Sequence, residues 1–220
     1  MPLIGEFLKL PFIYLAFKRK ERKEKKIVEE RFYFDETFAK CDRELLSSES
    51  PYRVSKCFLK EKGCQDIHVY GETPLTVLER ICREGNLSAG DTYLELGSGR
   101  GRGVFFVAHQ FGCRAIGVEW IPQFVDKALA IKKKHGIESV DFILDDMCAG
   151  KLYNATFIYL YGTCLDEFSL FRLTKTLELL SSKIKIATVS YPLQGRFVVK
   201  SRLSVCYPWG ETEVFIQEIP

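Results

Sequence analysis

Residues 92–103 read Thr-Tyr-Leu-Glu-Leu-Gly-Ser-Gly-Arg-Gly-Arg-Gly, and this stretch decides the fold. Thr92 to Leu96 has the composition of a buried strand. Glycines follow at 97, 99, 101 and 103, and Gly103 to Phe111 continues as an apolar helix. A strand that feeds a glycine loop and then a helix opens a βαβ unit. Glycine there lets the backbone turn sharply and approach a ligand with no Cβ in the way. The spacing excludes two phosphate-binding loops. In G-x-G-x-x-G, the third glycine would fall on Arg102 counted from Gly97 and on Val104 counted from Gly99. No G-x-x-x-x-G-K-[ST] occurs either.

Downstream the alternation continues. Arg114 to Glu119 reads as a second strand, Pro122 opens a helix that runs through Lys133, and Val140 to Leu144 is a third strand. Thr156 to Tyr161 is a fourth, bounded by Gly162; Glu167 to Leu180 is helical, and Lys183 to Ser190 is a fifth strand. Strands alternating with helices imply parallel pairing and a sheet covered on both faces. Phe197 to Tyr207 and Glu213 to Ile219 are β-rich and flank Pro208-Trp209-Gly210, which reads as an antiparallel hairpin. Upstream, Thr73 is placed to cap a helix with Pro74 in its first turn, and Gly85 to end it. Residues 1–70 read as a charged helical extension and 71–220 as an α/β domain.

Composition narrows the function classes. The chain has 220 residues, with 46% hydrophobic and 28% charged, which suits a globular protein and excludes a disordered or collagen-like one. Residues 18–26, KRKERKEKK, hold seven basic and two acidic side chains, a local +5; with a total of +3, the remainder stands at −2. The eight cysteines form no Cys-x-x-Cys pair and the three histidines no helical His-x-x-x-His pair, so no metal site is expected. Reduced thiols in a cytoplasmic or other intracellular compartment are the expectation. Residues 3–17, LIGEFLKLPFIYLAF, are too short and too interrupted to span a bilayer, and their charge follows the apolar run, unlike a secretory signal. A helix packed on the domain is preferred over peripheral membrane association through residues 3–26.

The acids at successive strand ends indicate the ligand. Glu95 precedes the glycine loop of Gly97, Ser98, Gly99 and Gly101; a carboxylate without phosphate-binding spacing suits a cationic cofactor, S-adenosylmethionine. Glu119, 24 residues further on and followed by Trp120, lies where an acid reaches ribose hydroxyls. The third strand ends in Asp145-Asp146-Met147, where a carboxylate can accept from an adenine amino group and Met147 can pack on the ring. Singly, each acid would pass as a solvated strand end. Three in succession point to one bound molecule.

These residues resemble a known family. ELGSGRG, GVEWIP, LDDM and the strand before Gly162, within residues 91–220, are similar to the cofactor motifs of class I S-adenosylmethionine-dependent methyltransferases. That resemblance implies a Rossmann-like, seven-stranded, mostly parallel sheet closed by an antiparallel hairpin. VYGETPLTVLERI, residues 69–81, followed by DTYLELGSGRG, resembles the non-SET histone-lysine methyltransferases. By that likeness Tyr70, Glu72 and Thr73 would form a loop folded over the cofactor. GVEWIPQFV and FIYLYG are also similar to the lysine methyltransferases of the ATP-synthase c-subunit. The fourth strand ends Tyr159-Leu160-Tyr161-Gly162-Thr163, without the asparagine of the histone enzymes; no Asn-Pro-Pro-Tyr or Asp-Pro-Pro-Tyr motif of base-amine methyltransferases occurs.

A protein lysine is the expected methyl acceptor. Such a lysine must lose its proton, and an apolar, aromatic channel favours the neutral amine. Tyr161 is the first candidate for its wall, and for the cofactor's; Tyr191 and Trp209 are the others, each equally compatible with ordinary packing. RNA or small-molecule methylation on the same fold is the second reading, since fold does not set substrate. Contacts between residues 18–26 and phosphates are less favoured because glutamates interleave the basic residues. A non-catalytic S-adenosylmethionine-binding module is the alternative of another class.

Overall fold

A computed structural model describes residues 10–163, 165–179 and 184–219. Among the described residues three helices come first, α1 (Leu10–Phe32), α2 (Glu36–Leu46) and α3 (Pro51–Glu61), followed by α4 (Leu75–Glu84). The alternating part then runs β1 (Thr92–Leu96), α5 (Arg102–Phe111), β2 (Arg114–Glu119), α6 (Pro122–His135) and β3 (Val140–Leu144). After a 3-10 turn at Met147–Ala149 come β4 (Phe157–Leu160), α7 (Glu167–Leu177), β5 (Lys185–Val189), β6 (Val198–Tyr207) and β7 (Gly210–Glu218). The strands form one sheet in the order β3-β2-β1-β4-β5-β7-β6. β1 to β5 pair in parallel, and β7 runs antiparallel to both β5 and β6. The chain is therefore Rossmann-like with a closing hairpin, as the alternation predicts. Tyr207 pairs with Gly210, so the hairpin loop is Pro208-Trp209.

The five parallel strands are mostly apolar because both faces are covered. Tyr93, Ala115, Val140, Phe157, Tyr159 and Ala187 point to one face, where they join Leu78 and Ile81 of α4, Phe105 and Phe106 of α5 and Ile131 of α6. Leu94, Leu96, Ile116, Ile158, Leu160 and Ile186 point to the other, against Leu173 and Leu177 of α7. The alternation within each strand assigns the two sides.

The N-terminal helices share the first of these cores. Val28 and Phe32 of α1 and Phe38, Cys41 and Leu45 of α2 belong to the same apolar cluster as α4 and α5. Polar contacts add to this docking. Arg31 pairs with Glu79 at 2.7 Å, and Glu24 accepts from the backbone N–H and hydroxyl of Thr76. Asp42, fully buried, accepts from Arg102 at 2.6 and 3.0 Å and from the Tyr33 hydroxyl at 2.8 Å. The interleaved charge of α1 forms exposed ion pairs one turn apart, Lys18–Glu21, Lys25–Glu29 and Lys26–Glu30. No helix among the described residues is long and apolar enough to cross a membrane. Residues 3–9 lie outside the described residues.

The expected cap at Thr73 is corrected. The helix begins at Leu75 with Pro74 as its N-cap, and the Thr73 hydroxyl is engaged elsewhere, 2.6 Å from the Tyr159 hydroxyl. The tertiary partner on β4 outcompetes the local cap because the Tyr159 hydroxyl is buried and its hydrogen bonds must come from protein groups.

Candidate active site

The sheet order reverses between β1 and β4, the position at which open α/β sheets form a ligand crevice at the strand carboxyl ends. A cavity of about 660 Å³ opens there. The loop after β1 forms its floor. Gly97, Gly99 and Gly101 all have positive φ. At Gly101, the N-cap of α5, an added Cβ would collide with the Phe142 ring, so both conformation and space demand glycine. Gly103 serves a different need. A Cβ there would stand 2.5 Å from a carboxylate oxygen of Glu95, so the glycine lets the start of α5 lie against that side chain.

Glu95 has the most perturbed carboxyl in the cavity wall. Its one hydrogen bond among the described residues is from the Tyr93 hydroxyl at 3.3 Å, and no cation pairs with it there. Burial pushes its pKa up to about 8, and the charges of Glu119 and Glu72 act in the same direction against the Tyr93 bond. Glu119 is held differently. It accepts from the backbone N–H groups of Gly99 (2.7 Å), Trp120 (2.8 Å) and Ile121 (2.9 Å), and thus ties the glycine loop to the end of β2. Burial raises its pKa, and those three donors oppose the shift.

Most of the residues singled out from the sequence meet in this cavity. Tyr70, Glu72, Thr73, Glu95, Gly97, Ser98, Gly99, Glu119, Trp120, Asp146, Met147 and Tyr161 all line it. Gly101 lies beneath, outside the lining. The third strand supplies one of its two aspartates: Asp146 lines the cavity and accepts from the N–H of Cys148 at 2.9 Å, capping the 3-10 turn. Asp145 turns away to Lys151 at 2.8 Å, which lowers its pKa.

The aromatic candidates separate as well. Tyr161, just past β4, lines the cavity, and its hydroxyl accepts from the indole N–H of Trp209 at 2.7 Å. Trp209 is itself outside the lining, 55% exposed, and stacked on Tyr207. Tyr191 does not reach the cavity; it is 58% exposed over a separate shallow cleft beside Leu160 and Pro192.

Among the lining residues that the sequence reading did not single out are Arg100 and Arg172. Arg100, inside the glycine loop, is buried and pairs with Glu72 at 2.6 Å. Arg172 of α7 also lines the cavity. An arginine flanked by two loop glycines was the available signal for the first; nothing local marks the second.

Residues 59–138, spanning the end of α3, the 70–73 segment, the glycine loop and β2, match the family described as "Histone methylation protein DOT1". No curated protein sequence matches. Among solved structures, an RNA methyltransferase from Salinibacter ruber in complex with S-adenosyl-L-homocysteine is 28% identical, with a TM-score of 0.58 over 68% of this chain and 94% of that one. TrmN from Thermus thermophilus is 16% identical, with a TM-score of 0.58 over 69% of this chain and 51% of that one. Geranyl diphosphate C-methyltransferase from Streptomyces coelicolor A3(2), with Mg2+, geranyl-S-thiolodiphosphate and S-adenosyl-L-homocysteine, is 13% identical, with a TM-score of 0.55 over 67% and 76% of the two chains. The last two agree in fold alone.

The chemistry of the cavity fits the cofactor these likenesses carry. A buried carboxylate that no cation pairs with among the described residues suits a sulfonium and ammonium. With this sheet order, this loop and these relatives, the chain is a class I, seven-strand S-adenosylmethionine-dependent methyltransferase, and S-adenosylmethionine is its cofactor.

Proposed function

We propose that this chain methylates the side-chain amine of a protein lysine. The observation that carries the proposal is the match of residues 59–138 to a histone methylation family, because it includes the 70–73 segment and the loop that together wall the cavity. In this reading Glu95 faces the cationic end of the cofactor, Glu119 the ribose hydroxyls and Asp146 the adenine amino group, with Met147 against the ring. Tyr70 and Thr73 close the opposite side. When bound, S-adenosylmethionine supplies an electrophilic methyl group and leaves as the thioether.

The chain's own task is to deliver a neutral amine in line with that methyl group, at about 3–3.5 Å. Tyr161, held by Trp209, offers an aromatic wall where desolvation favours the uncharged amine, so the proton leaves before transfer. Tyr161 serves to position and desolvate the acceptor.

RNA methylation is the second reading, favoured by the Salinibacter ruber enzyme. Against it, the cavity carries Asp66, Asp146 and Asp166 among its lining, and carboxylates repel phosphate. The basic stretch of α1 is also partly paired within its own helix. Incubation of the chain with methyl-labelled cofactor and a cell extract tests the choice. Label that survives nuclease, is lost to protease and maps to methyl-lysine by mass spectrometry supports the proposal. Label lost to nuclease would replace it with the RNA reading, and cofactor binding with no transfer to any acceptor would favour a binding module.

A further inference from the structure

We propose that Arg100 is a positioning residue that holds segment 70–73 against the glycine loop, so that this wall of the cofactor cavity is already formed in the ligand-free chain. The inference goes beyond the lysine reading and rests only on the cofactor site. Likeness to the histone enzymes assigns Glu72 to the cofactor. The geometry assigns it to Arg100 instead.

Arginine is rarely buried without a partner, and Arg100 has partners on two other segments of the chain. Its Nη2 donates to Glu72 Oε2 at 2.7 Å, and its Nε lies 2.6 Å from Oε1 in an ion contact that is not aligned as a hydrogen bond. Nη1 donates to the carbonyl of Leu45 at 2.9 Å, in the last turn of α2, where carbonyls lack helical partners. One guanidinium therefore joins the N-terminal helices, the glycine loop and segment 70–73. The Tyr70 hydroxyl adds a fourth member by donating to Glu72 at 2.7 Å, and the Tyr70 ring rests between Tyr52 and Phe124.

The segment needs such a fixture because it has no regular structure of its own. Residues 69–73 form neither helix nor strand, so their position depends on side chains. Thr73 is held at the far end by Tyr159, whose hydroxyl also lies 3.0 Å from that of Tyr207. Arg100 supplies the charged anchor in the middle. Without it, ordering 70–73 falls on the cofactor, and affinity drops by that cost.

The test uses the full chain and the variants Arg100→Met, Arg100→Lys, Glu72→Gln and Arg100→Met/Glu72→Gln. Two quantities are read: the Kd for S-adenosylhomocysteine by calorimetry, and amide hydrogen exchange of residues 70–73 without ligand. Arg100→Met and Glu72→Gln should each weaken binding by about tenfold and speed exchange of these amides, and the double variant should be no worse than Arg100→Met. Arg100→Lys, which keeps the charge and loses the fork, should recover part of the loss. Folded single variants with unaltered Kd and exchange would overturn the proposal, as would losses that multiply in the double variant. Should Arg100→Met not fold, Glu72→Gln decides by the same two readings. A wild-type chain that binds no S-adenosylhomocysteine would count against the cofactor, while the exchange measurement still decides on Arg100.

Discussion

Replacing Glu95 with glutamine should make the ligand-free chain more stable at neutral pH while weakening its hold on the cofactor. The carboxyl is buried, lacks a cation among the described residues and titrates near pH 8, against 4.5 for an unperturbed glutamate. A raised carboxyl pKa means that the folded chain holds a proton the unfolded chain has released, so stability falls as pH rises between the two values. Between pH 5 and 7.5 this amounts to a loss of about 3 kcal/mol, at 1.36 kcal/mol per pKa unit. Glutamine is neutral throughout and can still accept from the Tyr93 hydroxyl. Urea unfolding of both proteins at the two pH values isolates the effect, since any fixed cost of the amide cancels in the difference. The wild type should lose about 3 kcal/mol more than Glu95→Gln over this range, equivalent to about 6–12 °C in Tm. Equal losses would refute the reasoning and mean that Glu95 is ionised in the free chain. The same variant should bind S-adenosylmethionine more weakly at pH 7.5, because its cationic end no longer meets a carboxylate.

Three further outcomes are expected. Asp42→Asn should destabilise the fold by about 3–5 kcal/mol in urea titrations, because the mostly buried Arg102 loses the charge of its bidentate partner. Asp145→Asn should leave S-adenosylhomocysteine affinity within twofold of wild type, whereas Asp146→Ala should reduce it by about tenfold by calorimetry; the reverse order would place the wrong aspartate in the cavity. Once an acceptor is identified, Tyr161→Ala should lower kcat at least tenfold and Tyr191→Ala should leave it unchanged, since only the first side chain lines the cavity. A matching loss in both would show that the acceptor contacts a wider surface.

Strand after strand, the α/β part could be read from residues alone. β1, β2 and β3 fall on the residues that their short apolar runs mark, because a strand buried on both faces leaves little room for another local assignment. The hairpin was equally legible from two β-rich runs around Pro208-Trp209-Gly210. Boundaries moved by a few residues where the signals weaken: β7 begins at Gly210 ahead of the expected Glu213. The described part of the α7 stretch ends its helix at Leu177.

By itself the sequence determined the order of elements, the glycine loop after β1 and the acids at the ends of β1, β2 and β3, since these follow from neighbours along the chain. Tertiary structure alone decided which side chains face the cavity. Asp145 and Asp146 are adjacent and chemically alike, yet Lys151 holds one outside while a backbone N–H holds the other within. Thr73 looked like a helix cap until Tyr159, 86 residues away, took its hydroxyl. Glu72 and Arg100 are 28 residues apart, and neither predicts the other. Local sequence sets backbone conformation, but buried polar groups choose partners by proximity in the folded chain, where leaving one unpaired costs more than any local preference returns.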